Sequence, residues 1–415
     1  MNRLAFGLVV LACTMLVIMS AVATDYTLGI FGNANMDDTI DEDDIAYVQG
    51  IIEGTNEETE LADANYDGKI DEEDIAQIEY IIKGVEEELT IIDTIDRVIT
   101  VKKPINRIVV INRNALETMR SIDATDSIVG VCKQTTDDKA FFPVFSEYPC
   151  VGSWSSPDIE KILELQPDVV ILWATLSPST QEETQNKIEA SNPDITVIRF
   201  DCFMPDWYIE EVRKLGYVLG KKDEAEVFID FYQSCKGSIT DRSDRILAED
   251  RPKVYIEREH YSTDGVGRAT HQMVVAAGGD NIFSDLSGYG DIDPEEVITR
   301  DPEIIVRVEK AAGGYLLDVE NTEMLEELKE EIMNRPELQN VTAVKAGNVY
   351  VISDFVYRGA RDIVGIAYLV KWFHPDLFED LDPQAIHQEY LTRFQGLDYD
   401  LDKHGVFAYP SLEVN

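Results

Sequence analysis

Two short stretches of this chain share one pattern: residues Asp158–Ile171 read DIEKILELQPDVVI, and residues Asp293–Val306 read DPEEVITRDPEIIV. In each stretch a short amphipathic helix is predicted to end before a proline, because proline cannot continue a helix. The apolar run after each proline is typical of a buried parallel strand. Since the pattern occurs once in each half, the sequence predicts two similar α/β lobes with a ligand cleft between them.

The segments around these stretches predict an α/β fold with two Rossmann-like lobes. Helical segments alternate with apolar strands, as in parallel sheets. Between the two groups of strands, residues 222–248 contain no proline and have apolar residues at helical spacing, which predicts one long connecting helix. The predicted strands are Arg107–Ile111, Ile128–Val131, Val169–Trp173, Ile195–Phe200, Val254–Glu257, Ile304–Val308 and Val349–Ser353.

Length and charge narrow the possible functions. A chain of 415 residues is expected to form two or three domains, and its net charge of −44 argues against binding to nucleic acid. Residues 1–24 are typical of an export signal, with an uncleaved N-terminal anchor or a lipid anchor as alternatives. We therefore expect an exported protein at the cell surface, outside the cell or in a periplasm-like space.

Four cysteines remain after this segment, and an exported chain can form disulfides. Four cysteines allow three connectivities. We favour Cys132–Cys150 with Cys202–Cys235, and four free thiols are the alternative.

A tandem repeat with a spacing of 30 residues occupies residues 33–84 and has oxygen ligands at EF-hand spacing. Because Ca²⁺ needs six to eight oxygens, the sequence predicts two calcium ions. Since all the ligands lie in this segment, calcium removal is expected to unfold it and leave the rest folded. Positions 1, 3, 5, 7, 9 and 12 are Asn33, Asn35, Asp37, Thr39, Asp41 and Asp44 in the first loop and Asp63, Asn65, Asp67, Lys69, Asp71 and Asp74 in the second, with Thr39 and Lys69 acting through their backbone carbonyls.

Each loop is followed by a single helix, and this loop–helix order resembles a dockerin module, a small all-α calcium-binding domain that inserts into cohesin domains. The resemblance covers residues 27–88 and implies a possible cohesin partner. The residues that would face such a partner, Glu42-Asp43 and Glu72-Glu73, are acidic, whereas many dockerins have hydroxyl-bearing residues there.

Four segments of the body carry a family resemblance. They are IIDTIDRVITVKKPINRIVVINRNALETM (91–119), GSWSSPDIEKILELQPDVVI (152–171), GGDNIFSDLSGYGDIDPEEVITRDPEIIV (278–306) and VKAGNVYVISDFVYRGARD (344–362). In content and order they resemble the substrate-binding proteins of ABC importers for ferric siderophores and cobalamin. The resemblance implies an N-terminal lobe (89–221), a spine helix (222–248) and a C-terminal lobe (249–395), followed by a tail (396–415) beyond the family's usual end.

The resemblance also implies site residues. Glu160 and Glu295, at equivalent positions of the two repeated helices, would contact arginines of the importer's permease. A metal chelate, either a ferric siderophore or a corrinoid, would lie between the lobes. The residues implied in chelate binding are Arg113, Asn114, Trp154, Tyr261, Arg268, Phe355, Tyr357 and Arg358.

Two other classes of function compete with this interpretation. The sequence has no nucleophile elbow or phosphate-binding glycine loop, so we do not expect an enzyme. The alternative is a cell-surface scaffold assembled by dockerin–cohesin pairing.

Overall fold

The computed structural model describes residues 26–310 and 313–412. The predicted export segment, residues 1–24, lies outside these residues. In the part of the chain that is described, no helix is long and apolar enough to cross a membrane.

The described residues form helices and strands that alternate through most of the body. The helices are α1 Glu42–Ile52, α2 Glu72–Lys83, α3 Arg113–Ser121, α4 Lys133–Asp137, α5 Ile159–Glu164, α6 Pro178–Ser191, α7 Tyr208–Leu219, α8 Lys222–Ser243, α9 Ala269–Ala276, α10 Pro294–Arg300, α11 Glu323–Met333, α12 Thr342–Ala346, α13 Asp362–Phe373 and α14 Pro383–Glu389. The strands are β1 Glu88–Ile92, β2 Val98–Lys102, β3 Ile108–Val110, β4 Ile128–Val131, β5 Gly152–Ser153, β6 Ser156–Pro157, β7 Val169–Leu172, β8 Thr196–Arg199, β9 Lys253–Glu257, β10 Ser262–Asp264, β11 Asp280–Asn281, β12 Tyr289–Asp291, β13 Ile304–Glu309, β14 Gly314–Asp318, β15 Val349–Ser353, β16 His404–Val406 and β17 Ala408–Tyr409.

Two mostly parallel sheets organise the body. The first has the order β4-β3-β7-β8 and is parallel throughout. The second has the order β11-β9-β13-β15, with β17 added antiparallel at the edge. The seven predicted strands correspond to β3, β4, β7, β8, β9, β13 and β15, which confirms the α/β class.

The repeated sequence pattern forms the same local structure in both halves. Asp158 and Asp293 cap the N-termini of α5 and α10 with their side chains. After each helix, the residue before the proline, Gln166 or Asp301, adopts a left-handed conformation. This turn directs the chain from the helix into the buried strand, β7 or β13.

The helix α8 connects the elements of the first sheet to those of the second. It has 22 residues and ends at Ser243, five residues before the predicted end. A single buried apolar cluster includes Ile108 and Val110 of the first sheet and Val254 and Ile256 of the second. The two α/β units therefore share one continuous core.

A buried ion pair joins the two units. Glu117 on α3 accepts two hydrogen bonds from Arg361, each 2.9 Å long, and both side chains are almost completely buried. Tyr390 donates a third hydrogen bond to Glu117 at 2.6 Å. Because the desolvated charges are paired and hydrogen-bonded, the pair can persist in the core.

The N-terminal module, residues 27–88 with the two predicted loops, packs directly on the first unit. Ile30 pairs with Ile91 in an antiparallel bridge, and apolar residues of α1 and α2 belong to the same core as the body. Arg213 on α7 donates to Asp38 of the first loop at 2.8 Å and to Glu226 of α8 at 2.6 Å. The expectation that calcium removal leaves the body intact stays a prediction, and the shared core argues against it.

All four described cysteines are free thiols, so the disulfide prediction was wrong. Cys132 and Cys202 are buried within the apolar core, where each side chain packs as a small apolar group. These two cysteines therefore contribute to the fold by apolar packing and not by forming disulfides.

The tail beyond residue 395 completes the second sheet. Its strand β17 pairs with β15, and β16 pairs with β14. Phe407 is buried, and its ring lies 4.9 Å from that of Tyr315. The tail is therefore part of the fold.

The ion pair predicts a large effect of one substitution. Arg361→Met leaves the Glu117 carboxylate buried without its partner, so the free energy of unfolding should fall by about 3–5 kcal/mol. Urea unfolding measures this change. Arg393→Met, which breaks the half-exposed pair with Glu389, is the matched control and should cost less than about 1 kcal/mol. Equal losses in the two variants would contradict the assigned role of the buried pair.

Candidate functional site

A cleft of about 720 Å³ lies where the carboxyl ends of both sheets meet. Its walls come from the segments that follow β3, β4, β7 and β8 of the first sheet and β9, β13 and β15 of the second. Ligands of open parallel sheets bind at this edge, outside the point where the strand order reverses.

The strands at the two reversal points carry arginines. In the first sheet the strand order reverses at β3, which has β4 on one side and β7 on the other. In the second sheet it reverses at β9, which lies between β11 and β13. Arg113 follows β3 and Arg258 follows β9, and both line the cleft. The topology therefore places a guanidinium on each wall.

The first wall contains the start of α3. Asn112 caps this helix by accepting hydrogen bonds from the backbone N–H groups of Asn114 and Ala115. Its amide also donates to the backbone oxygen of Phe200 at 2.6 Å, which ties the cap to the end of β8. Arg113 is thus the first residue of a helix whose N-terminus is held in place. The helix dipole also favours a negatively charged group near this N-terminus.

Aromatic rings complete the first wall. Trp154 is partly exposed, and Trp173 at the end of β7 packs edge-on against Phe203, with ring centroids 5.7 Å apart. These rings give an apolar surface beside the positive charge of Arg113.

On the second wall, a network of arginines surrounds Tyr357. The Tyr357 hydroxyl accepts hydrogen bonds from Arg258 and Arg358. Arg358 forms an ion pair with Asp354 at 3.0 Å, and Asp264 lies 3.2 Å from Arg268. These contacts hold the guanidinium groups in place before a ligand arrives.

The network sets the charges of its members. Burial raises the pKa of Tyr357 to about 12, although the positive charge of Arg358 opposes this rise. Burial would raise the pKa of Asp354, but the positive charges of Arg358, Arg258 and Arg113 outweigh it and lower this pKa. Arg358, whose pKa is raised, and Asp354 are therefore charged at neutral pH, and Tyr357 is not.

The balance of charge in the cleft is opposite to that of the chain. The cationic lining residues outnumber the carboxylates by five to three. They are Arg113, Arg258, Arg268, Lys310 and Arg358, against Glu259, Asp264 and Asp354.

The structure brings together most of the residues implied in chelate binding. The lining includes Arg113, Asn114, Trp154, Arg268, Tyr357 and Arg358. Tyr261 lies elsewhere because it is buried, with its hydroxyl donating to Glu337 at 2.7 Å. Phe355 instead packs edge-on against Tyr315.

Sequence reasoning missed several lining residues, among them Trp173, Phe203, Arg258, Tyr289 and Lys310. Arg258 follows a predicted strand directly and Lys310 lies two residues after another, and these positions at strand ends could have identified them. Trp173 is the last residue of a predicted strand, and the sequence does not indicate that its side chain lines the cleft.

Glu160 and Glu295 occupy matching places at the starts of α5 and α10. Each is the second residue of its helix, after a capping aspartate, and each is exposed. Both carboxylates are therefore accessible from solvent.

The two predicted calcium loops have matching internal hydrogen bonds. Asp44 accepts from the backbone N–H groups of Asn35 and Asp41 at 3.1 and 2.8 Å, and Asp74 accepts from those of Asn65 and Asp71 at 3.2 and 2.8 Å. Burial raises the pKa of Asp44 to about 6. These buried acids occupy the last ligand position of each loop.

The first loop also contains an orphaned oxygen. Asn33 is buried, and its amide nitrogen donates to two backbone oxygens while its Oδ1 has no hydrogen-bond partner among the described residues. Over residues 26–310 and 313–412, no group of three or more His, Cys, Asp or Glu side chains is placed to hold a metal ion. The donor types suit calcium, but the carboxylates would have to draw together around it.

Comparison with known proteins identifies the body. Residues 108–354 match the family model described as periplasmic binding protein. The chain belongs to the periplasmic binding protein family. Among solved structures, the TroA-like periplasmic binding protein FepB from Veillonella parvula has a TM-score of 0.65 at 23% identity and covers 77% of this chain and 98% of that one.

Relatives of this periplasmic binding protein bind different solutes, according to their names. The molybdate-binding protein MolA of Haemophilus influenzae is 22% identical over 272 residues, covering 60% of this chain and 73% of MolA. A vitamin B12-binding protein of Salmonella paratyphi A is 24% identical over 188 residues, or 42% of this chain and 66% of that protein. A cobalamin-binding protein of Halobacterium salinarum is 25% identical over 257 residues, or 60% and 64%.

Proposed function

We propose that this chain is an extracytoplasmic solute-binding protein, not an enzyme, that captures a metal chelate and delivers it to an ABC importer. The chelate is a ferric siderophore or a corrinoid. The observation that carries the proposal is the cationic cleft in a chain of net charge −44. A local excess of positive charge in a concave site concentrates anionic ligands against the field of the rest of the protein.

The chemistry of the lining supports an organic chelate. Arginine presents planar donors that match carboxylates, and aromatic rings pack against flat apolar ligand surfaces. Five cationic side chains would repel a bare metal cation, so the metal has to arrive inside an anionic or neutral chelator.

The size of the cleft points the same way. A volume of about 720 Å³ lies within the range of roughly 300–1,000 Å³ for organic ligands. The relatives are named for molybdate and for cobalamin, so the family name alone does not select the ligand. We favour a ferric chelate because Phe355, which stands where the family resemblance leads us to expect a second tryptophan in a cobalamin site, packs against Tyr315 and does not line the cleft.

A ligand panel tests the proposal. Ferric tricatecholate, ferric citrate, cyanocobalamin and molybdate are titrated into the protein, and binding is followed by quenching of the four tryptophans. We expect a ferric chelate to bind most tightly, and Arg113→Ala should weaken it by about 1.5–3 kcal/mol through loss of a charge-assisted hydrogen bond. The melting temperature of the free Arg113→Ala protein should change little, because Asp354 keeps its ion pair with Arg358 and the nearby charge of Arg258 when Arg113 is removed.

Arg358→Ala provides the contrast. This substitution should also lower the stability of the free protein, since Asp354 loses its ion-pair partner. A chain that binds no probe of the panel, yet captures a cohesin-bearing protein, would contradict the importer function and favour a cell-surface scaffold.

The delivery step is proposed to use Glu160 and Glu295. One exposed carboxylate on each α/β unit can bind one arginine of a permease, and such rim charges steer association more than they add affinity. The double variant Glu160→Lys with Glu295→Lys should therefore abolish uptake in cells that carry the importer, without altering chelate affinity. The control, Glu182→Lys with Glu323→Lys, makes the same charge change at exposed positions on other helices, α6 and α11. Normal uptake by the first variant would remove this role.

We further propose that the two loops bind calcium. Asn33 Oδ1 supports this assignment, because a buried oxygen without a partner is an acceptor ready for a cation. The acidic pairs at residues 42–43 and 72–73 are exposed, so docking of the module to a cohesin-type partner is proposed as well.

Calorimetry with calcium tests the loops. We expect two ions per chain, and Asp44→Ala or Asp74→Ala should each remove one, whereas the exposed Asp43→Ala should keep both. Because the module shares its core with the body, calcium should raise the melting temperature of the whole chain in a single transition. Absence of calcium uptake would refute the assignment, and separate melting of the module would refute the coupling.

A further inference from the structure

A glycosylation motif occurs once in the chain. Asn340-Val341-Thr342 is the only Asn-x-Ser/Thr sequence, with x other than proline, among the 415 residues. In an exported protein this motif is the acceptor for an N-linked glycan. Members of the periplasmic binding protein family work outside the cytoplasm, on the side of the membrane where such glycans are carried.

The structure places the motif in a surface turn. The turn connects the 3₁₀ helix Pro336–Leu338 to α12. Asn340 and Thr342 are exposed, whereas Val341 between them is buried in the core of the second unit. The buried valine therefore anchors the turn and leaves the two side chains that define the motif on the outside.

The side-chain amide of Asn340 is available for modification. It has no hydrogen-bond partner among residues 26–310 and 313–412. Thr342, by contrast, donates its hydroxyl to Asp301 at 2.9 Å and its backbone N–H to the same carboxylate at 2.7 Å. These bonds give Thr342 a structural role of its own, but no hydrogen bond of the described residues requires an asparagine at position 340.

The turn lies at the edge of the second sheet opposite the cleft. Ala343 donates its backbone N–H to Pro302 at 2.9 Å, just before β13 begins, and α12 leads into β15. Both strands start at this edge, and the cleft lies beyond their carboxyl ends. Since β13 has six residues of about 3.3 Å each, a glycan on Asn340 is attached roughly 15–20 Å from the cleft edge.

The turn is also distant from the carboxylate proposed to contact a permease. Asp301, which holds Thr342, directly follows the last residue of α10, whereas Glu295 lies in the first turn of that helix. Seven helical residues extend about 10 Å. A sugar chain on this turn therefore covers the amino edge of the sheet and leaves both the cleft and Glu295 open.

We propose that Asn340 is a glycosylation site that carries an N-linked oligosaccharide. In the transfer, Nδ2 of Asn340 forms a bond to the anomeric carbon of the sugar and loses one proton. The bond from that carbon to the diphosphate of a lipid-linked oligosaccharide breaks, and the lipid diphosphate leaves with the bonding electron pair. The proposal depends on export of the chain and is independent of the solute that the cleft binds.

Mass spectrometry of the full chain, exported by its own host, tests the proposal. Trypsin does not cut between Arg335 and Pro336, so the motif lies in the peptide of residues 330–345. We expect this peptide to be heavier by whole sugar residues, with fragments that place the sugar on Asn340. The same chain without residues 1–24, retained in the cytoplasm, is the control and should give the unmodified peptide.

Four variants separate the motif from the fold. Asn340→Gln and Thr342→Val should each lose the whole mass increase, because each destroys the motif. Thr342→Ser should keep it, since serine preserves both the motif and a hydroxyl for Asp301. Asn321→Gln changes an exposed asparagine outside the motif and should keep it too. An exported wild-type chain whose Asn340 is entirely unmodified would overturn the proposal, as would a mass increase that persists in Asn340→Gln.

Discussion

The cleft depends on the buried ion pair between Glu117 and Arg361. Glu117 lies one helical turn after Arg113 on α3, and Arg361 follows Arg358 by three residues. The segments 113–117 and 358–361 therefore each supply an arginine of one cleft wall, Arg113 or Arg358. They also supply the two partners of the ion pair that joins the walls. Because a buried charge cannot be left unpaired without a large cost, the distance between the walls is restricted at their base.

Electrostatics explains why arginines rather than lysines dominate the cleft. The chain carries 80 acidic residues and 36 basic ones, so a site for anions must be built against the surrounding field. Pairing Arg358 with Asp354, and Arg268 with Asp264, keeps the guanidinium groups oriented while the excess of cations preserves a net positive charge. The planar group can hold a counter-ion on one edge and still present donors on another.

The N-terminal module, residues 27–88, packs on the body and shares its core. Lys222, at the start of α8, donates to the backbone oxygens of Ile81 and Ile82 at the C-terminal end of α2. Together with Arg213 on α7, it connects both loop–helix units to the two helices that precede the second sheet. A change in the loops would therefore reach the helix that links the two α/β units, because packed helices transmit displacement.

The sequence by itself determined the α/β class, the seven principal strands and the two loop–helix repeats, because each depends on local periodicity and on residues such as proline and aspartate that end or cap helices. The resemblance of the sequence to a known family also indicated three of the four cleft arginines. Only the tertiary structure decided that Tyr261 and Phe355 turn away from the cleft, that Trp173 borders it and that the cysteines remain unpaired. These outcomes depend on which side chains meet across sheets and helices far apart in the chain, and local patterns contain no information about such contacts.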